Sequence, residues 1–395
     1  MSDVRSTARL GVWVPVGPEE LLGGLTTPGG PLVLEPVDYA FGSPATAGLY
    51  RLRGPGWSWF GKVLQHVRHW PGLAFLPPEA RPHFVAEFPW RAELELWDEP
   101  YLGRLPDGMR APMLHGLVDL GDDRLVVWME DVEELDAAYD LARFAEAARL
   151  LGRWNARCAD PELVAANPNP VGYALRMYAR NAVPPRGLAP LEDDDLWSHP
   201  WLAGHGDLRT ALRGLGPQIP DLLDRLDGHR QAIPHGDASP QNLLVPADDP
   251  TTFVVIDVSF RTPHALGFDL SQLLVGLTHA GQVPTAMLPA IAEVIVPAYL
   301  AGLAAEGLTG LDEAVRDGFV TSTLLRSGFD SFVYEVIGSD RASDRQAFDE
   351  RVALCRFVCE QYLTPPGRGR VRDVGRVRRS RPGRRRWLRA DRSAA

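Results

Sequence analysis

Residues 233–270 constrain the fold and the chemistry of this chain more than any other stretch. They contain His235-Gly236-Asp237, with Asn242 at the fifth position after the aspartate, and the residues between include a proline and no periodic apolar pattern. A short apolar run and a turn rich in Pro and Asp follow, and the β-branched run 252–256 then ends at Asp257. This order predicts a loop followed by a hairpin of two short strands, which folds Asp257 back beside Asn242.

Transfer of a γ-phosphoryl group explains why these residue types occur at this spacing. The reaction needs a carboxylate that orients or deprotonates the accepting hydroxyl, and it needs oxygen ligands for Mg²⁺, which keeps several waters and takes only one or two protein carboxylates. Asn242 and Asp257 would supply the metal ligands, and Asp237 would face the acceptor. The run H-G-D-x-x-x-x-N also differs by one letter from the kinase catalytic loop H-R-D-x-x-x-x-N.

The segment resembles the catalytic and metal-binding motifs of the aminoglycoside phosphotransferase and choline kinase family, whose members have a protein-kinase-like fold. The run Gly267-Phe268-Asp269-Leu270 extends the resemblance, because that family has a later G-x-D-L-A segment. The resemblance implies that Asp237 is the catalytic base and that Asp269 is a buried brace for its loop. It also implies that Asn242 and Asp257 bind Mg²⁺.

The chain departs from the family pattern in two places, and it carries one competing motif. Ser271 replaces the usual Ala, and Val258-Ser259 stands where Trp or Phe-Gly is more usual, so no DFG-like switch is predicted. A second H-G-D string at 205–207 has Leu212 where the asparagine should be, and no strand ending in Ile-Asp follows it. That string predicts a helix start, with Asp207 as the cap.

Lys62 is the only lysine in the chain, since every other basic side chain apart from histidine is arginine. It lies in the extended run 57–64, where a kinase places a compact ammonium against the α- and β-phosphates, a role that a guanidinium fork does not reproduce. An accidental exposed lysine is the alternative. Kinases pair this lysine with a helix glutamate, and the helical run 90–97 offers Glu93 first and Glu95 second.

Residues 31–132 are predicted to form a nucleotide-binding lobe. Extended runs at 32–41, 49–53, 57–64, 111–120 and 124–132 predict a five-stranded antiparallel sheet, which one helix accompanies. The small-residue turn 42–48 could lie over phosphates, as a kinase glycine-rich loop does, or could be an ordinary hairpin turn. The end of the last run resembles the family's hinge, where backbone groups near Glu130 and Val132 would hold adenine, or it is a solvated strand exit.

Residues 133–363 are predicted to form a larger, mostly α-helical lobe that carries the catalytic and metal-binding loops. Apolar residues recurring at intervals of three and four predict a helix over 136–158. Further helices are predicted near 270–278, 286–305, 311–336 and 348–362. Acidic side chains in this lobe that could contact a substrate are Asp330, Glu335, Asp349 and Glu360, and the sequence favours none of them.

Charge is distributed unevenly along the chain. The formal net charge is −10, but residues 364–395 hold twelve Arg and two Asp, so the remainder carries an excess of acid. An acidic body suits a cationic substrate, although solubility alone also accounts for it. The tail 364–395 is predicted to be disordered, with membrane or nucleic-acid attachment as the alternative. No function is assigned to the N-terminal extension 1–30.

The chain is predicted to be a cytoplasmic protein without a membrane span. Its three cysteines, Cys158, Cys355 and Cys359, cannot form a disulfide framework and have no matching cluster for zinc. The N-terminus has no apolar core of a signal peptide. The longest apolar stretch, 286–305, contains two prolines and a glutamate, which favours a buried helix. No nucleic-acid partner is expected.

These observations together predict an α+β, two-lobed, protein-kinase-like fold and an ATP-dependent small-molecule phosphotransferase. The γ-phosphoryl group of Mg-ATP would pass to a hydroxyl of an aminoglycoside-like, amino-alcohol or sugar substrate. A catalytically inactive nucleotide-binding regulator or scaffold is the alternative, and the short run 261–266 with no A-P-E segment disfavours a protein kinase. The predicted site comprises Asp237 for catalysis, Lys62, Glu93, Glu130 and Val132 for the nucleotide, and Asn242 and Asp257 for Mg²⁺.

Overall fold

The computed structural model describes residues 18–38, 43–258 and 260–364. Most of the predicted extension 1–30, part of the predicted turn 42–48 and nearly all of the Arg-rich tail lie outside these residues. Ten strands are present in the described part: β1 Val33–Pro36, β2 Thr46–Gly54, β3 Trp57–Gln65, β4 Met109–Arg110, β5 Leu114–Gly121, β6 Arg124–Glu130, β7 Gln231–Ala232, β8 Leu243–Leu244, β9 Phe253–Val255 and β10 His264–Ala265.

The described part also contains fourteen α-helices, most of them after residue 140. They are α1 Pro18–Leu22, α2 Arg81–Glu87, α3 Glu99–Leu102, α4 Leu141–Arg157, α5 Pro161–Ala166, α6 Tyr173–Asn181, α7 Ala189–Leu191, α8 Asp194–Trp197, α9 Gly206–Leu215, α10 Ile219–Asp227, α11 Phe268–His279, α12 Leu288–Ala305, α13 Asp312–Thr323 and α14 Ala342–Leu363. The predicted α+β class is therefore confirmed, with a sheet region first and a helical region after it.

The sheet region is a five-stranded antiparallel sheet, as predicted, and its strands lie in the order β1-β2-β3-β6-β5. The turn between β5 and β6 is tight because Asp122 and Asp123 both adopt left-handed backbone angles, with φ of 50° and 53°. One face of the sheet buries Trp128, whose Nε1 donates to Leu21 O at 2.8 Å. The other face buries Val127 and Met129, and it is the face toward which the following helical segments pack.

The helical segments of the sheet region are shorter and more numerous than the single predicted helix. The run predicted at 90–97 forms a 3₁₀-helix, Ala92–Trp97, after α2. Its Leu94 and Trp97 pack against the sheet face that contains Val127 and Met129. The short segment is sufficient to bring Glu93 under the sheet, where it is buried.

The helical region is organised around α4, which begins at Leu141 because the Asp140 side chain accepts a hydrogen bond from Arg143 N at 2.8 Å. The helix therefore starts later than residue 136, where the apolar pattern placed it. It packs along α12 with little separation, since a Cβ at Gly152 would overlap Tyr299 O and a Cβ at Gly302 would overlap Arg149 O. Glycine is needed at both positions for the two backbones to touch.

Replacing Gly152 with Ala is expected to lower the free energy of unfolding by about 1–3 kcal/mol, the usual cost of overpacking a tight contact. Urea unfolding measures the loss. Gly214→Ala is the matched control, because Gly214 lies in α9 and a Cβ there meets nothing within 4 Å. That control is expected to equal the wild type or exceed it by up to ~1 kcal/mol. Equal stabilities of the two variants would contradict the close packing of α4 on α12.

One helix in the described part, Thr285–Ala305, is long and apolar enough to cross a membrane by length and composition. Its core portion is α12, which continues through Pro297 and buries Tyr299 and Leu303. The stretch predicted at 286–305 is thus a single helix with one face in the core of the helical region.

The helix predicted over 311–336 is divided. The α-helical part α13 ends at Thr323, a π-helical turn covers Leu324–Gly328, and a 3₁₀-helix covers Tyr334–Val336. Thr323 Oγ1 donates to Phe319 O at 2.7 Å, and such side-chain bonding to a carbonyl four residues back disturbs regular helix geometry. The three cysteines are buried and free, as predicted.

Candidate active site

The loop that carries Asp237 is held by Asp269, at the start of α11. The Asp269 carboxylate accepts hydrogen bonds from His235 N at 3.0 Å and Gly236 N at 2.9 Å, and also from Asn155 Nδ2 at 2.9 Å. Its side chain is 1% exposed, so it acts as the buried brace that the resemblance implied. Three donors on one buried carboxylate fix the loop.

Gly236 is required by the conformation of this loop. Its φ is 91°, and a Cβ there would overlap Phe260 O. The neighbouring His235 is fully buried, its Nδ1 accepts from Asp237 N at 3.3 Å, and burial lowers the pKa of the imidazole. The H-G part of the motif is therefore structural, and it presents Asp237.

The hairpin predicted after the loop is present and brings three polar side chains together. β8 and β9 pair antiparallel, with Leu243 opposite Val255, and Ile256 N donates to Asn242 O at 3.1 Å. Asn242 Nδ2 donates to Asp237 O at 2.8 Å and to Asp237 Oδ2 at 3.3 Å. Asp257 follows with a left-handed φ of 54°, which turns its carboxylate toward the sheet region.

Lys62 joins the sheet region to this hairpin. Its Nζ lies 2.6 Å from Glu93 Oε2 and 3.1 Å from Asp257 Oδ1. Both Lys62 and Glu93 are buried. Burial disfavours the ammonium, but the nearby Asp257 and Glu93 carboxylates outweigh it and hold the pKa of Lys62 above its ordinary value. The chain's one lysine is thus placed at a charged junction rather than on the surface.

The choice between Glu93 and Glu95 is settled by geometry. Glu93 makes the contact with Lys62. Glu95 lies two residues along the same 3₁₀-helix, and burial raises the pKa of its carboxyl while Arg261 opposes this. The guanidinium of Arg261 lies over the Tyr101 ring, 4.0 Å from its centroid. Glu95 therefore belongs to a separate buried cluster.

The Asp237 carboxylate is held between two partners. Burial raises its pKa, and the Arg326 guanidinium opposes the shift. Arg326 Nη2 lies 3.1 Å from Asp237 Oδ1, and Nη1 donates to Gly236 O at 2.9 Å. The sequence motifs did not identify Arg326, which lies in the π-helical turn and is 89 positions from Asp237.

The acidic side chains at the end of β6 are both paired with arginines. Glu130 is bound by Arg110 at 2.6 and 2.7 Å, and its backbone N–H donates to Met113 O at 2.8 Å. The hydrogen bond from Arg110 lowers the pKa of the Glu130 carboxyl. Asp131 accepts from Arg51 Nε at 2.7 Å. Adenine binding by Glu130 and Val132 remains a prediction.

The donor set at the hairpin fits Mg²⁺ in its chemistry. Asp257 offers a carboxylate, and Asn242 uses its Nδ2 on Asp237, which directs the amide oxygen elsewhere. Both are the hard oxygen ligands that Mg²⁺ takes, with waters and substrate phosphates completing its shell. In the described part of the chain no three His, Cys, Asp or Glu side chains form a metal-binding group.

The four acidic residues that could contact a substrate differ in whether they are exposed or bound to the interior. Asp330 accepts a very short hydrogen bond from the Tyr178 hydroxyl. Asp349 pairs with Arg345 at 3.0 Å on the surface, and Glu335 and Glu360 are exposed. Asp330 is therefore the one of the four that is tied to the interior.

The competing motif at 205–207 is a helix start, as predicted, but its aspartate does not cap the helix. α9 begins at Gly206, His205 is the N-cap residue, and no side chain caps it. Asp207 instead pairs with Arg356 at 2.6 Å. The Asp207 carboxylate pairs with an arginine of α14, whereas the sequence predicted that it would accept a hydrogen bond from the helix backbone.

No protein-family model and no curated protein matches the sequence. Among solved structures, the chain is similar to a microcompartment-associated aminopropanol kinase, with 14% identity, coverage of 84% of this chain and 92% of that chain, and a TM-score of 0.49. It is also similar to spectinomycin phosphotransferase in complex with ADP and spectinomycin, with 12% identity, coverage of 83% and 93%, and a TM-score of 0.48.

A third similar structure is an aminoglycoside phosphotransferase from Alicyclobacillus acidocaldarius, with 13% identity, coverage of 88% of this chain and 97% of that chain, and a TM-score of 0.49. The three proteins are small-molecule kinases by name, the group that the sequence motifs resemble.

Proposed function

We propose that this chain is a phosphotransferase that moves the γ-phosphoryl group of Mg-ATP to a hydroxyl group of a small molecule. The observation that carries the proposal is the position of Lys62, which contacts Glu93 of the sheet region and Asp257 of the hairpin at once. The contact sets an ammonium, the group that binds phosphate oxygens, against Asp257, which is one of the two oxygen ligands proposed here for Mg²⁺.

Each residue has a distinct role in this proposal. Lys62 binds the phosphates of the nucleotide, and Glu93 keeps its ammonium in place. Asn242 and Asp257 hold Mg²⁺, which neutralises charge on the phosphates when it is bound. Asp237 orients the acceptor hydroxyl and accepts its proton as the bond to phosphorus forms.

Adenine would be held at the end of β6. The Glu130 N–H is engaged by Met113 O, so the groups proposed to meet the base are the Glu130 carbonyl and the Val132 N–H. The carboxylates of Glu130 and Asp131 are bound to arginines, which orients this strand end without using its backbone.

The test is nucleotide binding followed by turnover. Calorimetry with Mg-ATP should show binding by the wild type, and ADP release should be stimulated by at least one compound in a panel of sugars, amino alcohols and aminoglycosides. Binding without stimulation by any compound would favour a nucleotide-binding regulator. The absence of Mg-ATP binding would refute the proposal.

Lys62→Arg is expected to reduce turnover by about 10²–10³, the usual effect of losing one well-placed electrostatic contact. The positive charge is kept, but a planar guanidinium cannot occupy the buried space between Glu93 and Asp257 as a compact ammonium does. The matched control is Arg53→Lys, since Arg53 pairs with Glu35 at 3.0 Å on the exposed side of β2. Turnover at wild-type level in both variants would show that Lys62 does not contact the phosphates.

A further inference from the structure

Arg326 contacts the proposed base, and the phosphotransfer mechanism above does not use it. It lies in the π-helical turn Leu324–Gly328, and such turns within helices are frequent at functional sites. One Nη donates to Gly236 O at 2.9 Å, and the other lies 3.1 Å from Asp237 Oδ1. A side chain that contacts both the carboxylate and the backbone of the same loop fixes their relative orientation.

The Arg326 guanidinium packs against aromatic rings in addition to making these hydrogen bonds. Its central carbon lies 5.8 Å from the Phe260 ring centroid and 5.3 Å from the Phe268 ring centroid. Its side chain is 13% exposed, so the charge faces the site with little screening by water. Arg326 is therefore a fixed cation beside Asp237 rather than a mobile surface residue.

Arg326 lies on the side of Asp237 away from the proposed nucleotide groups. Asp237 Oδ2 faces Asn242, at 3.3 Å, while Oδ1 faces Arg326. Asn242 lies beside Ile256 in the hairpin, and the next residue, Asp257, contacts Lys62. In the proposed reaction the acceptor hydroxyl lies between Asp237 and the γ-phosphorus and opposite the leaving oxygen, because the attacking and leaving oxygens are roughly in line. The rest of the acceptor then extends away from the nucleotide, past Asp237. Arg326 thus borders the acceptor's approach.

Further arginines balance the acids on this side. Asp330 accepts the hydrogen bond from Tyr178, and the charges of Arg186 and Arg351 act on its carboxyl. Arg186 lies in a second π-helical turn, Pro184–Leu188, which contacts the residue after the first turn, since a Cβ at Gly187 would meet Phe329 O at 2.7 Å. The Asp237 carboxylate therefore has one guanidinium in direct contact, and the Asp330 carboxylate has the charges of two others acting on it.

We propose that Arg326 is a positioning residue for Asp237 and that, by balancing its charge, it makes the acceptor side select neutral or anionic hydroxyl compounds over polycations. A polycationic acceptor would bind well only where carboxylates outnumber cationic side chains. The guanidinium groups near Asp237 and Asp330 offset the negative charge of these carboxylates. The inference rests on the proposed function and narrows its acceptor to sugars, polyols or hydroxy acids.

The first test measures binding of a polycation and needs neither nucleotide nor turnover. Calorimetry with kanamycin, a polycationic amino sugar, compares the wild type with Arg326→Met and Arg326→Lys. Losing one fixed charge roughly 6–8 Å away is expected to strengthen kanamycin binding by ~5–30-fold in the Met variant. The Lys variant should stay near the wild type, and so should the control Arg345→Met, whose arginine pairs with Asp349 on the surface.

Equal affinities for the wild type and Arg326→Met, including no binding by either, would overturn the selection against polycations. Failure of the proposed function would appear elsewhere, as the loss of Mg-ATP binding in the wild type, so the two failures are distinguishable.

The second test separates positioning from mere structural support. With a neutral acceptor that is turned over, Arg326→Met should lower kcat by about tenfold and leave KM within about twofold, since the carboxylate loses its orientation and the acceptor's contacts remain. Arg326→Lys should restore part of kcat. In the Asp237→Asn background the Met substitution should have no further effect on kcat, and an additive effect would overturn the positioning role.

Discussion

Asp237→Asn is expected to lower acceptor-stimulated turnover by ~10²–10⁴, the usual contribution of a general base. The amide keeps the size of the side chain, and its oxygen still accepts the hydrogen bond from Arg326 that the carboxylate accepts at 3.1 Å. It cannot accept the hydroxyl proton, so the chemical step is impaired. Asn242 loses its 3.3 Å hydrogen bond to the side chain but keeps the 2.8 Å bond to Asp237 O. Initial rates of ADP release at saturating Mg-ATP measure the loss.

Mg-ATP affinity should be retained in this variant, because Lys62, Asn242 and Asp257 are unchanged. The matched control is Asp224→Asn, which removes a carboxylate of the same type from a surface pair with Arg176 and should leave turnover unchanged. Wild-type turnover by Asp237→Asn would remove Asp237 from the role of base. A large loss of Mg-ATP affinity would instead assign Asp237 to the nucleotide site.

The local part of the site was predictable because the chain builds it from one continuous segment. Asp237 lies on a loop, and Asn242 and Asp257 lie just before and just after the two strands that follow it, so a two-stranded hairpin leaves few ways to arrange them. Asp269 follows within the same stretch and reaches the loop through the first turn of α11. Within this segment, residues that are close in the sequence are also close in the structure.

Lys62 was predictable for a different reason. All but one of the 41 lysine and arginine residues are arginine, so the exception points to a place where a guanidinium does not serve. The same composition made Arg326 impossible to single out from the sequence, because nothing distinguishes it from the other arginines. Its partner lies 89 positions earlier, and only tertiary packing brings the two together.

The helical elements show where periodicity stops being informative. Apolar spacing continues through residues 311–336, yet the structure has an α-helix, a π-helical turn and a 3₁₀-helix in that span. Side-chain hydrogen bonds to backbone carbonyls, such as that of Thr323 to Phe319 O, change the helix type without changing which residues are apolar. The turn that presents Arg326 arises at this change.

Asp269→Asn is expected to lower the free energy of unfolding by ~2–4 kcal/mol, because it disturbs a buried charged acceptor with three donors. The carboxylate accepts from His235 N, Gly236 N and Asn155 Nδ2, all at 2.9–3.0 Å. An amide has a single oxygen, so its NH₂ group must face at least one of these N–H donors, and a buried donor is left without an acceptor. Urea unfolding gives the loss.

The loss of stability in Asp269→Asn should be largest in the loop that carries Asp237, and turnover should fall as well. Amide hydrogen exchange at His235 and Gly236 is expected to accelerate more than exchange in the sheet region, because the loop loses the brace that holds both N–H groups. Turnover should fall with it, since Asp237 is the next residue along. Asp340→Asn is the control, as Asp340 is exposed in the loop before α14. Unchanged exchange and stability in Asp269→Asn would mean that the contact between α4 and the loop, through Trp154 packed edge-on against His235 at 6.0 Å, is enough to hold the site.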